Sequence, residues 1–134
     1  MDKSSWPRGP WDNEPDEKQW VDDATGYQCL IVRKDNGALC GYVGVDMTHS
    51  LYEVSLDFLL AEMADDFQVH GGLTYAGRIP DRGDVWWLGF DCAHFLAGDF
   101  VPGDPWAKLT PHMKYYDFAY VENEVRRLAA LMQP

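Results

Sequence analysis

Cysteine is scarce in this chain, and the spacing patterns of zinc sites and disulfide frameworks are missing. The three cysteines, Cys29, Cys40 and Cys92, are far apart and form no C-x-x-C pair. An odd number of separated cysteines favours neither a zinc ribbon nor a set of disulfides. We therefore expect reduced thiols, with Cys29 and Cys40 buried inside apolar runs.

Long hydrophobic runs and basic residues are also in short supply. No stretch approaches the roughly 18–20 apolar residues of a membrane span, and the N-terminus lacks the apolar core of a signal peptide. The 22 acidic residues outnumber the 11 basic ones, and the net charge of -11 repels nucleic acids and anionic membranes. These absences predict a cytoplasmic protein with neither a nucleic-acid nor a membrane partner. The acidity serves solubility or docks a basic protein.

Motifs of known catalytic and nucleotide-binding sites are absent as well. The chain has no G-x-G-x-x-G, P-loop, H-E-x-x-H or G-x-S-x-G pattern. Cys92 follows Asp91 directly, but strand alternation points its thiol into an apolar face, where thiolate formation is suppressed. The sequence therefore shows no activated nucleophile. It also does not indicate which cofactor, if any, the protein binds.

The apolar patterns predict two β-hairpins and two helices. GYQCLIVRK and GALCGYVGV, joined by DNG, are typical of a first hairpin, and FQVHGGLTYAGR and DVWWLGFDCAH, joined by IPDRG, of a second. Between them, 51–64 predicts a short helix with a buried stripe of Leu51, Val54, Phe58, Leu59 and Ala61. A C-terminal helix capped by Thr110, with Pro111 in its first turn, buries Val121, Val125, Leu128 and Met132.

This order of elements predicts an α+β fold with a mostly antiparallel sheet of about four strands. The C-terminal helix packs on one face of the sheet, and Cys29, Cys40, Trp86, Leu88 and Phe90 lie in the core. Residues 25–134 form this single domain, and residues 1–24, rich in Trp and Pro, form an irregular arm packed on it. Charge reversal in the arm at Asp12, Glu14, Asp16 and Glu17 tests an acidic docking surface.

The stretch VHGGLTYAG raises the question of why a strand accepts two glycines. If His70 opposes Asp91, Gly72 opposes Gly89 and Thr74 opposes Trp87, the second hairpin has a glycine floor, an aromatic wall and a His/Asp pair. With His94 and Asp99 at its mouth, this recess predicts a ligand site. Its residues are His70, Gly72, Thr74, Trp87, Gly89, Asp91, His94 and Asp99. Alternatively, the glycines serve packing, with a tryptophan of the arm filling the space.

The histidines and carboxylates of this region also allow a metal site. His70, Asp91, His94 and Asp99 are suitable ligands if three or more converge. The alternative is a hydrogen-bonded Asp/His pair that orders the loop. His49 is interpreted as a cap or surface residue, and His112 is placed on the first turn of the last helix.

The motifs GPWDNEPDEKQW, GALCGYVGV, VHGGLTYAG and VWWLGFDCAH, followed by YYDFAYVENEV, resemble a family of small proteins of tailed bacteriophages and prophages. The resemblance covers nearly the whole chain. It implies a phage gene product in the bacterial host cytoplasm, where small accessory proteins often counteract host defence. It implies no particular mechanism.

Two functions of different classes follow. The first is a non-enzymatic protein that binds a small molecule or a host protein. The second is a small metal-dependent or acid/base hydrolase that uses His70, Asp91, His94 and Asp99. We favour the binding protein because no complete catalytic motif is present.

Overall fold

Five antiparallel strands form one sheet in a computed structural model that describes residues 1–105 and 112–134. In spatial order the strands are β1 (Glu17–Val21), β2 (Gln28–Arg33), β3 (Leu39–Val45), β5 (Trp86–Asp91) and β4 (Tyr75–Gly77). Helix α1 (Leu56–Glu62) lies between β3 and β4 in the chain, and α2 (Phe118–Leu131) follows β5. The predicted α+β class is confirmed, with one strand more than expected.

The first hairpin and the C-terminal helix follow the sequence prediction. β2 and β3 pair antiparallel around the DNG turn, where the Asn36 side chain accepts a hydrogen bond from Ala38 N at 3.0 Å. α2 packs on one face of the sheet, and all four residues of its predicted stripe are buried: Val121, Val125, Leu128 and Met132.

The fifth strand, β1, comes from a stretch that we placed in the irregular arm. It pairs antiparallel with β2, with Trp20 opposite Cys29, at one edge of the sheet. Its sequence, EKQWV, carries the charges typical of an exposed edge strand, which hide it in a composition-based prediction. Before β1, Trp11 is buried against Phe100, with ring centroids 5.5 Å apart.

Both faces of the sheet are covered. Leu88, Phe90 and Cys92 lie in the main core with α2, as the alternation along β5 predicted, and Trp86 packs partly buried against this core. The opposite face carries a second buried cluster of Leu30, Cys40, Tyr42, Val85 and Trp87. Cys29 and Cys40 are thus both buried, but on opposite faces.

The three cysteines are free and buried, as expected. Burial raises the pKa of Cys29 to about 12 and the pKa of Cys40 to about 11. Burial, together with the nearby charge of Asp99, also raises the pKa of Cys92. Thiols in this state carry almost no thiolate near neutral pH, which argues against a nucleophilic role.

Helix α1 is shorter than predicted, and only part of the predicted stripe is buried. The Ser55 hydroxyl caps it by accepting a hydrogen bond from Phe58 N at 3.2 Å, so Leu51 and Val54 precede the helix. Leu59 is buried, whereas Phe58 is 52% exposed and Ala61 is also exposed. Leu51 is also buried in the main core and Val54 packs against it, so the predicted stripe is confirmed at these positions and at Leu59. It is wrong at Phe58 and Ala61, which lie on the solvent side of the helix.

Helix α2 begins at Phe118, where the Asp117 carboxylate caps it by accepting a hydrogen bond from Tyr120 N at 2.8 Å. His112 lies in a turn before this helix, so its predicted place on the first helical turn is wrong. The predicted cap Thr110 and Pro111 lie outside the described residues.

A fully buried arginine fastens the arm to the sheet. The Arg33 guanidinium donates to Asp16 Oδ1 at 2.9 Å and to Glu14 Oε1 at 3.0 Å. It also donates to the Tyr115 hydroxyl at 2.8 Å and to the carbonyl oxygens of Gly37 and Pro15. These bonds engage all its nitrogens, which lets a charge be buried at the end of β2.

Candidate functional site around the 69–72 turn

The stretch that begins at Val69 turns where a strand was predicted. Gly72 N donates to Val69 O at 2.8 Å, and Gly71 and Gly72 have φ angles of 68° and 79°. These are left-handed conformations, which glycine adopts without the steric cost that other residues incur. β4 begins only at Tyr75. The two glycines therefore serve a turn and not a strand.

The predicted pairing of the second hairpin is wrong. Tyr75 opposes Gly89, and Gly77 opposes Trp87. A side chain at Gly89 would come within 2.4 Å of the Tyr42 ring, so this ring fills the space above Gly89. The predicted recess between Gly72 and Gly89 does not form, because Gly72 lies in a turn before β4 begins and does not pair with β5. The space is filled by Tyr42 and not by a tryptophan of the arm.

Five of the eight predicted site residues do come together, in a polar chain of hydrogen bonds with one longer contact, at His94 Nε2, which makes no hydrogen bond to a described residue. At one end, Thr74 Oγ1 donates to Asp91 Oδ2 at 2.9 Å, and Asp91 Oδ1 lies 3.5 Å from His94 Nε2. His94 N donates to Asp99 Oδ2 at 2.9 Å. At the other end, His70 Nε2 lies 2.9 Å from the same oxygen of Asp99. Trp87 is buried in the cluster on the face turned away from α2, and Gly89 packs against the Tyr42 ring there, so neither joins this chain.

His70 is held on several sides. Its Nε2 faces the Asp99 carboxylate, so Nε2 carries the proton and Nδ1, 3.0 Å from the Tyr120 oxygen, accepts from that hydroxyl. Its backbone N donates to Glu124 Oε1 at 2.9 Å. Burial, with the charge of Glu124, raises the pKa of Tyr120 to about 12, so the phenol stays protonated at neutral pH.

This arrangement does not favour the hydrolase. Both ring nitrogens of His70 have partners within the chain, Asp99 on one side and the Tyr120 hydroxyl on the other. The raised pKa of Tyr120 makes this hydroxyl a poor nucleophile near neutral pH. Within residues 1–105 and 112–134, no group of three or more His, Cys, Asp or Glu side chains is placed to hold a metal ion. The geometry instead matches the alternative in which an Asp/His pair orders the loop.

The loop held by this pair presents apolar side chains to solvent. Asp99, 1% exposed, anchors its end, and Asp99 N and Ala97 N both donate to His94 O. Between the anchors, a 3-10 turn at Phe95–Ala97 leaves Leu96 wholly exposed and Phe95 44% exposed. We call Phe95 and Leu96 the apolar loop.

The 69–72 turn separates this loop from α1. On one side, a side chain at Gly71 would come within 2.2 Å of His94 Nε2, so only glycine lets His94 pack there. On the other side, Gly72 faces open space and lines a dimple of about 50 Å³. The dimple is otherwise apolar, lined by Leu59, Leu60, Ala64, Phe67 and Leu73.

Unpaired carboxylates surround the exposed side of α1. Asp57, Glu62, Asp65 and Asp66 are exposed, and the described part of the chain offers none of them an ion-pair partner. Leu60 in the same segment is 47% exposed, in addition to Phe58. We call the four carboxylates with Phe58 and Leu60 the acidic surface. This surface was not predicted from the sequence, because the predicted stripe placed Phe58 in the core.

The arm acids that we expected to form the docking surface are instead paired within the chain. Asp12 lies 3.2 Å from Arg8, and Glu17 lies 3.0 Å from Arg82. Glu14 and Asp16 bind the buried Arg33. The four arm acids are therefore engaged within the chain, and docking through the arm stays a prediction that this pairing does not favour.

His49 connects the segment before α1 to the C-terminal end of α2. Its Nδ1 accepts from Leu51 N at 3.0 Å, and its Nε2 lies 2.8 Å from Met132 O, which fixes the proton on Nε2. This side chain lines a groove of about 520 Å³ that also contains Asp46 and Thr48. Asp46 accepts two hydrogen bonds from Thr48, so these polar groups are already engaged within the chain.

Comparisons of the chain with protein-family models, with curated proteins and with solved structures return no match. Similarity therefore assigns neither a family nor a function, and the local geometry has to carry the functional argument. In the described ranges 1–105 and 112–134, no helix is long and apolar enough to cross a membrane.

Proposed function

We propose that this chain is a non-enzymatic binding protein whose acidic surface docks a basic, partly apolar segment of a partner protein. The observation that carries this proposal is the set of four carboxylates on and beside α1 that have no ion-pair partner among the described residues. Exposed apolar side chains lie among them. A basic amphipathic segment matches both features.

The two kinds of group contribute differently to binding. Carboxylates steer a basic partner and raise its association rate, whereas buried apolar contacts slow its dissociation. The dimple beside Gly72 offers room for the end of one aliphatic side chain, and the exposed Phe58 supplies an aromatic contact. Aromatic anchors of this kind are enriched at the centres of protein interfaces.

The biological setting belongs to the same proposal. The resemblance of the sequence motifs to a phage family supports a gene product that acts in the host cytoplasm, and a host defence protein is then the expected partner. The apolar loop lies on the other side of the 69–72 turn and extends the docking face. No recess remains between Gly72 and Gly89 to support the small-molecule version at that place.

A capture experiment with matched charge variants tests the proposal. The protein is immobilised and exposed to host lysate at low salt, alongside D65N/D66N and the control D23N/D35N. Asp23 and Asp35 are also exposed acids without an ion pair to a described residue, so both variants change the net charge equally. We expect the captured partner to fall at least tenfold for D65N/D66N and to be unchanged for the control.

The purified partner then gives a kinetic test. Its association rate with the wild type should fall steeply with salt, because charges are screened over about 10 Å at 0.1 M salt. The salt dependence should be weaker for D65N/D66N. Equal capture by both variants, or an association rate that salt does not change, contradicts docking through the acidic surface.

A further inference from the structure

A second recess lies on the face of the sheet that is turned away from α2. It is a groove of about 270 Å³ between the outer face of β2 and β3 and the loop after β4. Its apolar walls are the rings of Tyr42 and Tyr75 and the aliphatic side chains of Val32 and Ile79. The rings meet edge to face, with centroids 5.7 Å apart, so they form a rigid wall.

The rim of this groove carries positive charge in a strongly acidic protein. Lys34 is exposed and has no ion pair with a described residue. Arg82 donates to Glu17 Oε1 at 3.0 Å and to Gln19 Oε1 at 2.5 Å, which leaves other donors of its guanidinium unused. Glu17 is the one carboxylate in the lining, so together with Lys34 and Arg82 the lining has a formal charge of +1. The whole chain, by contrast, has a net charge of -11.

The pairing of the other cations makes Lys34 unusual. Lys3, Arg8, Lys18 and Arg33 each contact a carboxylate, as do Arg78, Arg126 and Arg127. Lys114 has no such ion pair to a described residue either, but its ammonium lies over the Tyr116 ring, 5.3 Å from the centroid. Lys34 therefore adds an available charge to a concave aromatic surface.

We propose that this groove binds a small organic anion, in which a carboxylate or phosphate group lies against Lys34 and Arg82 and one aromatic or aliphatic group lies against Tyr42 and Tyr75. Its volume is just below the range of about 300–1,000 Å³ that drug-sized ligands occupy, so the ligand is small. A neutral or cationic analogue gains nothing from the two cations. The site is independent of the proposed docking function. Helix α1, which carries the acidic surface, packs on the opposite face of the sheet.

A titration of the full chain followed by amide NMR shifts tests this assignment. The probes are phenyl phosphate and 4-phenylbutyrate as anions, inorganic phosphate as an anion without an apolar group, benzyl alcohol as a neutral compound and benzylamine as a cation. We expect saturable shifts at Val32, Tyr42 and Ile79 with at least one aromatic anion. We also expect its affinity to be at least tenfold higher than that of inorganic phosphate, benzyl alcohol or benzylamine.

Matched variants separate the groove from general attraction of anions. K34M should weaken the aromatic anion at least fivefold, K34R should retain its affinity, and K114M should leave it unchanged although it removes the same charge. Lys34 is exposed, so K34M keeps the fold, which its amide spectrum verifies. Absence of saturable shifts with both aromatic anions, equal binding of benzyl alcohol, or equal weakening by K114M overturns the site.

Discussion

Four acids of the arm and the four carboxylates of the acidic surface are used by the fold in opposite ways. In the arm, Asp12, Glu14, Asp16 and Glu17 all meet an arginine of the chain. On and beside α1, the four carboxylates meet no cation among the described residues. The arm acids hold the chain together, whereas the surface acids remain available to a partner.

This difference shows that a net charge says little about where a protein binds. A charge of -11 indicates acidity in both segments, but only the pairing of each carboxylate separates a structural from an available charge. Paired and buried charges contribute to stability through their local partners, whereas exposed unpaired charges act through the long-range field. Substitutions in the two segments should therefore change different quantities.

The largest effect is expected from breaking the centre of the arm. R33M keeps most of the side-chain volume but leaves Glu14 and Asp16 without their buried cation. We expect a loss of about 3–5 kcal/mol in the free energy of unfolding, measured with urea, because Glu14 then has no cation, whereas Asp16 keeps its ion pair to Lys3. R78M, which removes exposed ion pairs to Glu53 and Asp84, serves as the control and should have a much smaller effect. Similar losses for both variants would show that the buried ion pairs of Arg33 contribute no more to stability than exposed ion pairs do.

The polar chain behind the apolar loop should behave as an intermediate case. D99A leaves the His94 amide and His70 Nε2 without their common acceptor. The expected loss is about 1–3 kcal/mol, the usual cost of unsatisfied buried donors. Hydrogen exchange at residues 94–99 should accelerate more than exchange in the sheet. Unchanged exchange in this loop would show that Asp99 does not hold it.

The pH dependence of stability is expected to reflect the pairing of the arm acids. Burial raises the pKa of Asp16, but hydrogen bonds from Lys3 and Arg33 outweigh this and hold the pKa below its ordinary value. A carboxyl with a lowered folded-state pKa stabilises the fold above its unfolded pKa of about 3.9, and this contribution disappears as the pH falls through the folded pKa. D16N should lower stability at pH 7 and flatten the loss on acidification. Urea unfolding of the wild type and D16N between pH 2 and pH 7 measures both effects, and equal slopes for the two proteins would contradict this role of Asp16.

The smallest effect is expected on the acidic surface. D65N/D66N removes two exposed charges that no described cation neutralises. The free energy of unfolding should stay within about 0.5 kcal/mol of the wild type, as is usual for surface substitutions. Urea unfolding measures this directly. A loss comparable to that of R33M would reveal a structural role for these acids and remove the contrast between the two segments.

Much of the fold could be predicted from local patterns. The alternation along β5 correctly assigned Leu88 and Phe90 to the main core, and the spacing of Val121 and Val125 correctly gave the buried side of α2. These predictions succeed because apolar periodicity reports directly which side of an element is buried. β1 was not predicted as a strand, because an edge strand needs few apolar residues.

The details of the site depended on long-range packing that one sequence does not display. Whether Gly71 and Gly72 continue a strand or form a turn is decided by their φ angles and by His94, which comes from a distant part of the chain. The polar chain was anticipated only as one alternative, in which an Asp/His pair orders a loop. Which acids lack partners depends equally on tertiary contacts, so the acidic surface could not be recognised from composition.

Tyr42 and Gly89 lie directly opposite each other on β3 and β5, and the ring occupies the space that a side chain at Gly89 would need. The side chains at positions 42 and 89 therefore compete for the same space, so a larger residue at one position requires a smaller residue at the other. In relatives of this chain, position 89 should accept alanine or serine only where position 42 is smaller than tyrosine. The two positions should thus covary, with glycine retained wherever the aromatic ring is retained.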